Sequence, residues 1–500
     1  MSGAKDTRLS MAYAANKPLA LSLGCCDDND SNNKRLGIVH IGIGAFHRAH
    51  QAWYTQNAML KSGGDWRITG VSLRSETVAQ QLNPQDGLYT LVEQNADSSS
   101  HTLISVVDKV LVAPQDPQRV LQQLCDKSTR IVSLTITEKG YCHDGASGGL
   151  NLSHPDIQHD LQNLASPRSA LGFLVSAMQQ RISERLAPFT VMSCDNLPNN
   201  GQLLRHLVLA FAEQVSPTLA TNIQQQYSFP SSMVDRIVPA VTDEVVSDWA
   251  KTLGYSDQAL VLTECFSQWV IEDDFVNGRP DWEGVGALLV SNVHVFETMK
   301  LRLLNGSHSA IAYLGYLGGL KTVAEVMRLP SYQMFIRGLM HDEIIPSLEV
   351  PPGMDLTVYC EQLIARFLNP HLHHQTYQIA MDGSQKLPQR LLNPLRSQLA
   401  GAGGINRIAV IIAAWIQYTS GVGLNGEQIT VKDPLSTELA GLAIQHQHDV
   451  GTWVKEVFQL QAVFDESLSQ NILCIALVTR YLSALREIKQ PLALIETLDA

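Results

Sequence analysis

No stretch of 18 residues in this chain is apolar throughout, so the sequence signature of a membrane-spanning helix is missing. A secretory signal is not expected either. The weakly apolar start MSGAKDTRLSMAYAANKPLALSLGCC is interrupted by Lys17 and Pro18 and lacks a compact apolar core before a cleavage site. Cysteine is scarce, eight in 500 residues, and beyond the adjacent Cys25 and Cys26 the thiols lie far apart. With no C-x-x-C pair and no H-E-x-x-H helix, neither a structural nor a catalytic zinc site is expected, and reduced thiols in the cytoplasm are the simplest account. His371, His373 and His374, in PHLHH, have no carboxylate or thiol beside them, so no metal is assigned there. Basic residues are also short: 36 Lys and Arg against 48 Asp and Glu leave a net charge of −12 with no basic stripe. That balance argues against a nucleic-acid or anionic-membrane partner and suits a soluble enzyme acting on a small molecule. Oligomeric state is not legible.

A chain of 500 residues normally forms two or more domains. Residues 1–34, which include DDNDSNNK, read as a flexible leader. From residue 35 to 290 strand-like and helical runs alternate: LGIVHI, WRITGVSL, YTLVEQ, LISVVDKVLV, RIVSLTI and FTVMSC, with helices expected over 50–61, 117–126 and 170–185. Alternation of this kind predicts an α/β fold, a mostly parallel sheet covered by helices, with ligands at the carboxyl edge of the strands. Beyond residue 290 the apolar spacing becomes helical, over 296–317, 322–328, 356–367, 407–420, 434–446 and 457–486, so a mostly α-helical C-terminal domain is predicted over 291–500.

Two places carry chemistry. RLGIVHIGIGAFHRAHQAWYTQ reads as a strand over Leu36–Ile41, a glycine turn and a helix. Gly42 and Gly44 stand where a nucleotide-binding βα unit puts its phosphate turn, but His47 occupies the place of the third fingerprint glycine. A plain βα turn looks much the same. At the end of the next strand, Leu73-Arg74-Ser75-Glu76 offers both charges. Arg74 suits the 2′-phosphate of NADP, whereas Glu76 would repel it. The second place is MKLRLLNGSHSAIAYLGYLGG. On a helix with Lys300 at zero, Glu297 falls near about 60°, His308 near about 80° and Asn305 near about 140°. Four polar groups thus share one side of an otherwise apolar helix. A buried lysine is a candidate general base because desolvation lowers an amine's pKa; a snorkelling surface lysine beside a core histidine is the plainer alternative.

These segments, GIGAFHRAH at 42–50, TEKGY at 137–141, VMSCDN at 191–196, MVDRIVP at 233–239 and KLRLLNGSH at 300–308, in that order, resemble the mannitol dehydrogenase family of polyol-specific long-chain dehydrogenases. The likeness runs from Arg35 onward. The resemblance implies a Rossmann-type N-terminal domain, a helical C-terminal domain and NAD as cofactor, with NADP still open. It implies a metal-independent hydride transfer in which Lys300 is the general acid/base, Asn196 and Asn305 donate to the reacting oxygen, His308 orients a hydroxyl and Glu297 relays the proton. Gly42, Gly44, Phe46, Arg48, Glu76 and Glu138 are the implied cofactor contacts, and Asp235, Arg236, Lys386 and Arg390 the implied substrate contacts. WVIEDDFVNGRPDWEGVGA and QIAMDGSQKLPQRLLNP resemble the sugar-acid branch, which implies interconversion of D-fructuronate and D-mannonate. A mannitol-type polyol, or another ketouronate such as tagaturonate, is the same-class alternative. A catalytically silent sensor would be expected to lack one of Lys300, Asn196, Asn305 and His308, and all four are present.

Overall fold

The structure is a computed structural model and describes residues 7–15, 36–96, 98–144, 148–372 and 374–498. It divides into two compact units, Met1–His294 and Val295–Ala500.

The first unit is built on five parallel strands in the order β5-β2-β1-β6-β7: β1 Leu36–Ile41, β2 Arg67–Ser72, β5 Val107–Val112, β6 Ile131–Leu134 and β7 Thr190–Ser193. Every residue of β1, β2, β6 and β7 is buried, as expected when helices cover both faces. Strand alternation divides the core. Val39, Ile41, Val132 and Leu134 pack with the helices Pro117–Cys125, Ala170–Ser183 and Asn200–Val215. Ile38, Ile68 and Ile131 pack on the opposite face with Trp66, Trp269 and Trp282.

Two expectations for this unit are corrected. The run LISVVDKVLV is not one strand. It splits at Ser105 into β4 Ser99–Ile104 and β5, which lie in different sheets. Gln56 fixes the break, donating to Leu103 O (2.9 Å) while its Oε1 accepts from Ser105 N (2.6 Å). YTLVEQ, as β3 Tyr89–Gln94, pairs antiparallel with β4 and parallel with β9 Val261–Glu264, away from the main sheet. The leader expected to be flexible is in part docked. Arg8 bridges to Ser256 and donates to Gln80 O and Gln81 O, while Leu9 and Ala14 pack with Leu88, Leu103 and Tyr255. Residues 1–6 and 16–35, with Lys17, Pro18 and the Cys25–Cys26 pair, lie outside the described residues.

The second unit is helical. The helix expected over 296–317 is interrupted by one π-turn, Leu301–Asn305, between His294–Lys300 and Gly306–Leu317. Two further π-turns follow at Leu339–Ile344 and Pro388–Leu392. The apolar run 457–486 spans three helices rather than one: Val450–Phe458, Glu466–Ser469 and Ile472–Ile488. Asp465 and Asn471 start the last two by accepting from Leu468 N and Cys474 N, capping that apolar periodicity does not reveal. Among the described residues no helix is long and apolar enough to cross a membrane.

Candidate functional site

A cavity of about 780 Å³ opens in the first unit at the carboxyl ends of β1, β2 and β6. Gly42 forms its floor. Its φ of +93° belongs to the left-handed region, and a Cβ there would come within 2.2 Å of Thr135 O. Gly44 has an ordinary φ of −93°, and the nearest atom to an added Cβ is 3.8 Å away, so its missing side chain leaves open space. A floor that only glycine can form, beside a second glycine that clears room, fits the pyrophosphate of a dinucleotide. His47, in the third glycine's place, explains the departure from the fingerprint. Its buried ring stacks 3.5 Å from His40, and the helix breaks at His50 into Ala45–Ala49 and Gln51–Ser62. His40 bridges Ser133 and Thr135 (2.8 Å each). Burial lowers its pKa to about 3 and drives that of His47 well down too, so both rings support the turn in the neutral form.

The other expected cofactor contacts lie off the cavity wall. Phe46 stacks on His50 (5.1 Å). Arg48 is buried, donating to Ala259 O (2.5 Å) and to Gly44 O (3.3 Å), so it braces the turn from behind. Glu76 accepts from Gln115 Nε2 (2.6 Å), and the exposed Glu138 stands 3.7 Å from His143. Arg74 and Lys139, neighbours of these two acids, do line the wall.

Asp195 is a working residue that sequence reasoning passed over. Its buried carboxylate accepts from Ile136 N (2.9 Å), Thr137 N (3.0 Å) and the Tyr141 hydroxyl (2.8 Å). It thereby holds Thr137 at φ +61°, strained for a β-branched residue, and shapes the TEKGY wall of the cavity. Its only signal was its place beside Asn196, which is exposed just beyond the carboxyl end of β7. Asp235 ends β8, Ser232–Asp235, and is buried. Arg236 is spent on the interior: it donates to Ala49 O and Glu264 O and pairs with Glu93, which removes it as a free substrate cation.

The second unit holds its own cavity, of about 220 Å³, walled by Asn305, His308, His374, Gln378, Lys386 and Arg390. The π-turn organises it. Gly306 N–H bonds back to Leu301 O, five residues away, and that spacing draws Lys300 and Asn305 toward one face rather than the separation of an ideal α-helix. Lys300 is buried, and its charge is among those that, after burial, lower the pKa of His308. His308 is therefore neutral, and its Nε2 has no hydrogen-bond partner among the described residues although the residue is buried. Glu297 sits one turn before Lys300, half-buried.

Two cations face this cavity. Arg390 donates to Asn305 O (3.2 Å) and Ser309 Oγ (3.1 Å), and burial brings its pKa down to about 10. Lys386 donates to Met381 O (2.6 Å), with its pKa lowered by burial and then by Arg390. Gln378 and His374 on the wall were not expected as site residues. His374 lies 5.0 Å from His308, ring to ring, whereas His371 is exposed and His373 lies outside the described residues. Among the described residues no group of three or more His, Cys, Asp or Glu could hold a metal ion.

Residues 36–284 match the mannitol dehydrogenase Rossmann domain, and residues 292–486 the mannitol dehydrogenase C-terminal domain. The D-mannonate oxidoreductase of Escherichia coli (strain K12) is 45% identical over 90% of this chain and 93% of its own length. A mannitol 2-dehydrogenase of Aspergillus oryzae is 41% identical over 86% of this chain and 87% of its own. Among solved structures, the Pseudomonas fluorescens mannitol 2-dehydrogenase ternary complex with NAD and D-mannitol matches with a TM-score of 0.78 and 38% identity, covering 93% of this chain and 94% of that one.

Proposed function

Because the chain belongs to the mannitol dehydrogenase family, a family of nicotinamide-dependent dehydrogenases of CH–OH groups, we propose that it interconverts D-fructuronate and D-mannonate with NAD. The observation that carries the choice of a sugar acid is the pair Lys386 and Arg390 on the wall that also bears Asn305 and His308. A carboxylate at the sugar terminus needs a cation, and two stand there. With Nη1 of Arg390 engaged by Asn305 and Ser309, Lys386 and the rest of the guanidinium remain to meet it.

Gly42 and Gly44 would hold the coenzyme, which when bound would supply the hydride in reduction and take it up in oxidation. Residues 35–290 serve that coenzyme and residues 291–500 the substrate. Lys300 donates the proton to the ketone oxygen in reduction and removes it in oxidation. The amides of Asn196 and Asn305 donate hydrogen bonds to that oxygen, where negative charge develops, so no metal is called on. His308, neutral and with Nε2 unpartnered among the described residues, orients a substrate hydroxyl, and Glu297 passes the proton between Lys300 and water. A mannitol-type polyol is the second reading, favoured by Gln378, a neutral amide on the same wall that suits a hydroxyl.

An NADH-oxidation assay against D-fructuronate, D-tagaturonate and D-fructose decides among them. An unmatched cation in a closed pocket costs about 1–3 kcal/mol, so fructuronate should exceed fructose by about ten- to a hundredfold in kcat/KM. Equal turnover of fructose moves the chain to the mannitol branch. Preference for tagaturonate keeps the chemistry and changes the substrate.

A further inference from the structure

We propose that the coenzyme cavity accepts NADPH as well as NADH, and that Arg74 is the residue that reads the 2′-phosphate. The inference rests on the coenzyme reading above and goes beyond it in naming what the pocket tolerates. In a Rossmann-type sheet the adenosine ribose lies at the carboxyl end of the second strand. There a carboxylate bonds the free 2′-hydroxyl and repels a 2′-phosphate, whereas an arginine pairs with the phosphate. β2 ends at Ser72, and Ser72, Leu73, Arg74 and Ser75 all line the cavity. The segment thus presents a guanidinium and two hydroxyls, and no acid.

Glu76, the one carboxylate next to the segment, does not line the wall; it accepts a 2.6 Å hydrogen bond from Gln115. Arg74 is exposed and has no hydrogen bond or ion pair to any described residue, so its donors need not be taken from another partner. The Cys142 thiol, also on the wall, is pushed up by burial and then by Asp156 and Asp160, and Arg74 opposes that rise. The remaining wall charges lean the same way. Lys139 and Arg168 face the cavity, and Asp156, the carboxylate among the described wall residues, belongs to the helix Pro155–Gln162 rather than to the strand end. A dianionic phosphate at the end of β2 therefore meets an available fork of N–H donors, and the 72–75 segment itself adds no carboxylate to the wall.

Equilibrium binding to the full-length protein tests this without relying on turnover. NADH and NADPH are titrated by quenching of protein fluorescence, and 2′-AMP and 5′-AMP compete for the site. The expected result is dissociation constants for the two dinucleotides within about tenfold of each other, with 2′-AMP competing at least as well as 5′-AMP. Arg74→Ala should weaken NADPH about tenfold or more and NADH by less than about threefold, as fits the loss of one charge-assisted pair to phosphate. Glu76→Gln should change neither ratio. The proposal is overturned if the wild type binds NADH more than about a hundredfold tighter, if Arg74→Ala weakens both alike, or if Glu76→Gln raises NADPH affinity about tenfold. Binding of NADH alone would leave the dehydrogenase reading standing while sinking this one. Failure to bind either dinucleotide would remove the coenzyme reading itself.

Discussion

Replacing Glu343 by Gln should change the pH dependence of stability in the second unit, and the structure fixes both its sign and its size. Glu343 is buried, and its two carboxylate oxygens accept from Arg407 N and Ile408 N (2.8 Å each), the first turn of the helix Asn406–Thr419. Burial outweighs these donors and raises its pKa from 4.5 to about 7. The folded state therefore holds the proton more tightly than the unfolded chain. Below the unfolded value both states are protonated and no penalty exists; the penalty grows as pH rises to about 7 and is full above it. The full penalty is about 3 kcal/mol, of which about 2–3 kcal/mol develops between pH 5 and pH 8. Gln cannot titrate. Its amide satisfies only one of the two N–H groups, a loss that is the same at every pH and cancels when two pH values are compared. At about 2–4 °C per kcal/mol for a unit of this size, the Tm gap between wild type and Glu343→Gln should shift by about 5–10 °C in the variant's favour on going from pH 5 to pH 8. Scanning calorimetry of the full chain at both pH values measures it. A gap that stays constant to within about 2 °C would refute the ionised, desolvated carboxylate as the source.

Gly42→Ala should abolish NADH binding and lower the melting temperature, because the added Cβ meets Thr135 O at 2.2 Å in a left-handed backbone; normal binding would disprove the glycine floor. Lys300→Ala should reduce turnover by about a thousandfold while leaving NADH affinity nearly unchanged, a general acid–base contribution. Retention of about a tenth of wild-type activity would remove Lys300 from its role. Lys386→Met should lower kcat/KM for fructuronate by about ten- to a hundredfold and narrow the gap to fructose; an equal loss on both sugars would point to packing instead. Prolonged dialysis against a strong chelator should leave activity unchanged, and a loss that zinc restores would overturn the side-chain mechanism.

The parallel sheet was legible because both its faces are buried: LGIVHI and RIVSLTI read as mainly apolar, β-branched runs, and β1 and β6 lie inside them. The same cue failed at LISVVDKVLV. Two strands of different sheets, joined at Ser105, share one strand-like run, and the long-range bonds of Gln56 mark the break between them. Glycines at 42 and 44 announced the phosphate turn, but Arg48 and Glu138 show the limit of motif reading. A motif says which residues travel together, not which face the ligand. Arg48 braces Gly44 from behind, and Glu138 turns to His143 while its neighbour Lys139 lines the wall.

The second unit's site shows why spacing alone could not place it. An ideal helix sets Asn305 about 140° from Lys300, and the wider Leu301–Asn305 π-turn narrows that angle. That turn disturbs the regular hydrogen-bond ladder around Asn305, and Arg390, from the third π-turn Pro388–Leu392, donates to the Asn305 carbonyl. The two turns meet because residue 306 is glycine: a Cβ there would lie 3.2 Å from Arg390 O and 3.4 Å from Leu391. N-G-S-H and P-Q-R-L-L, 80-odd residues apart, are thus one device, in which the glycine admits the turn that the arginine secures. Arg390 accordingly has two duties, holding Asn305 in place and presenting charge to the cavity. Arg390→Lys separates them: a lysine keeps the charge but not the fork. If substrate affinity survives while turnover falls, the arginine matters through Asn305; if affinity falls first, it matters through the carboxylate.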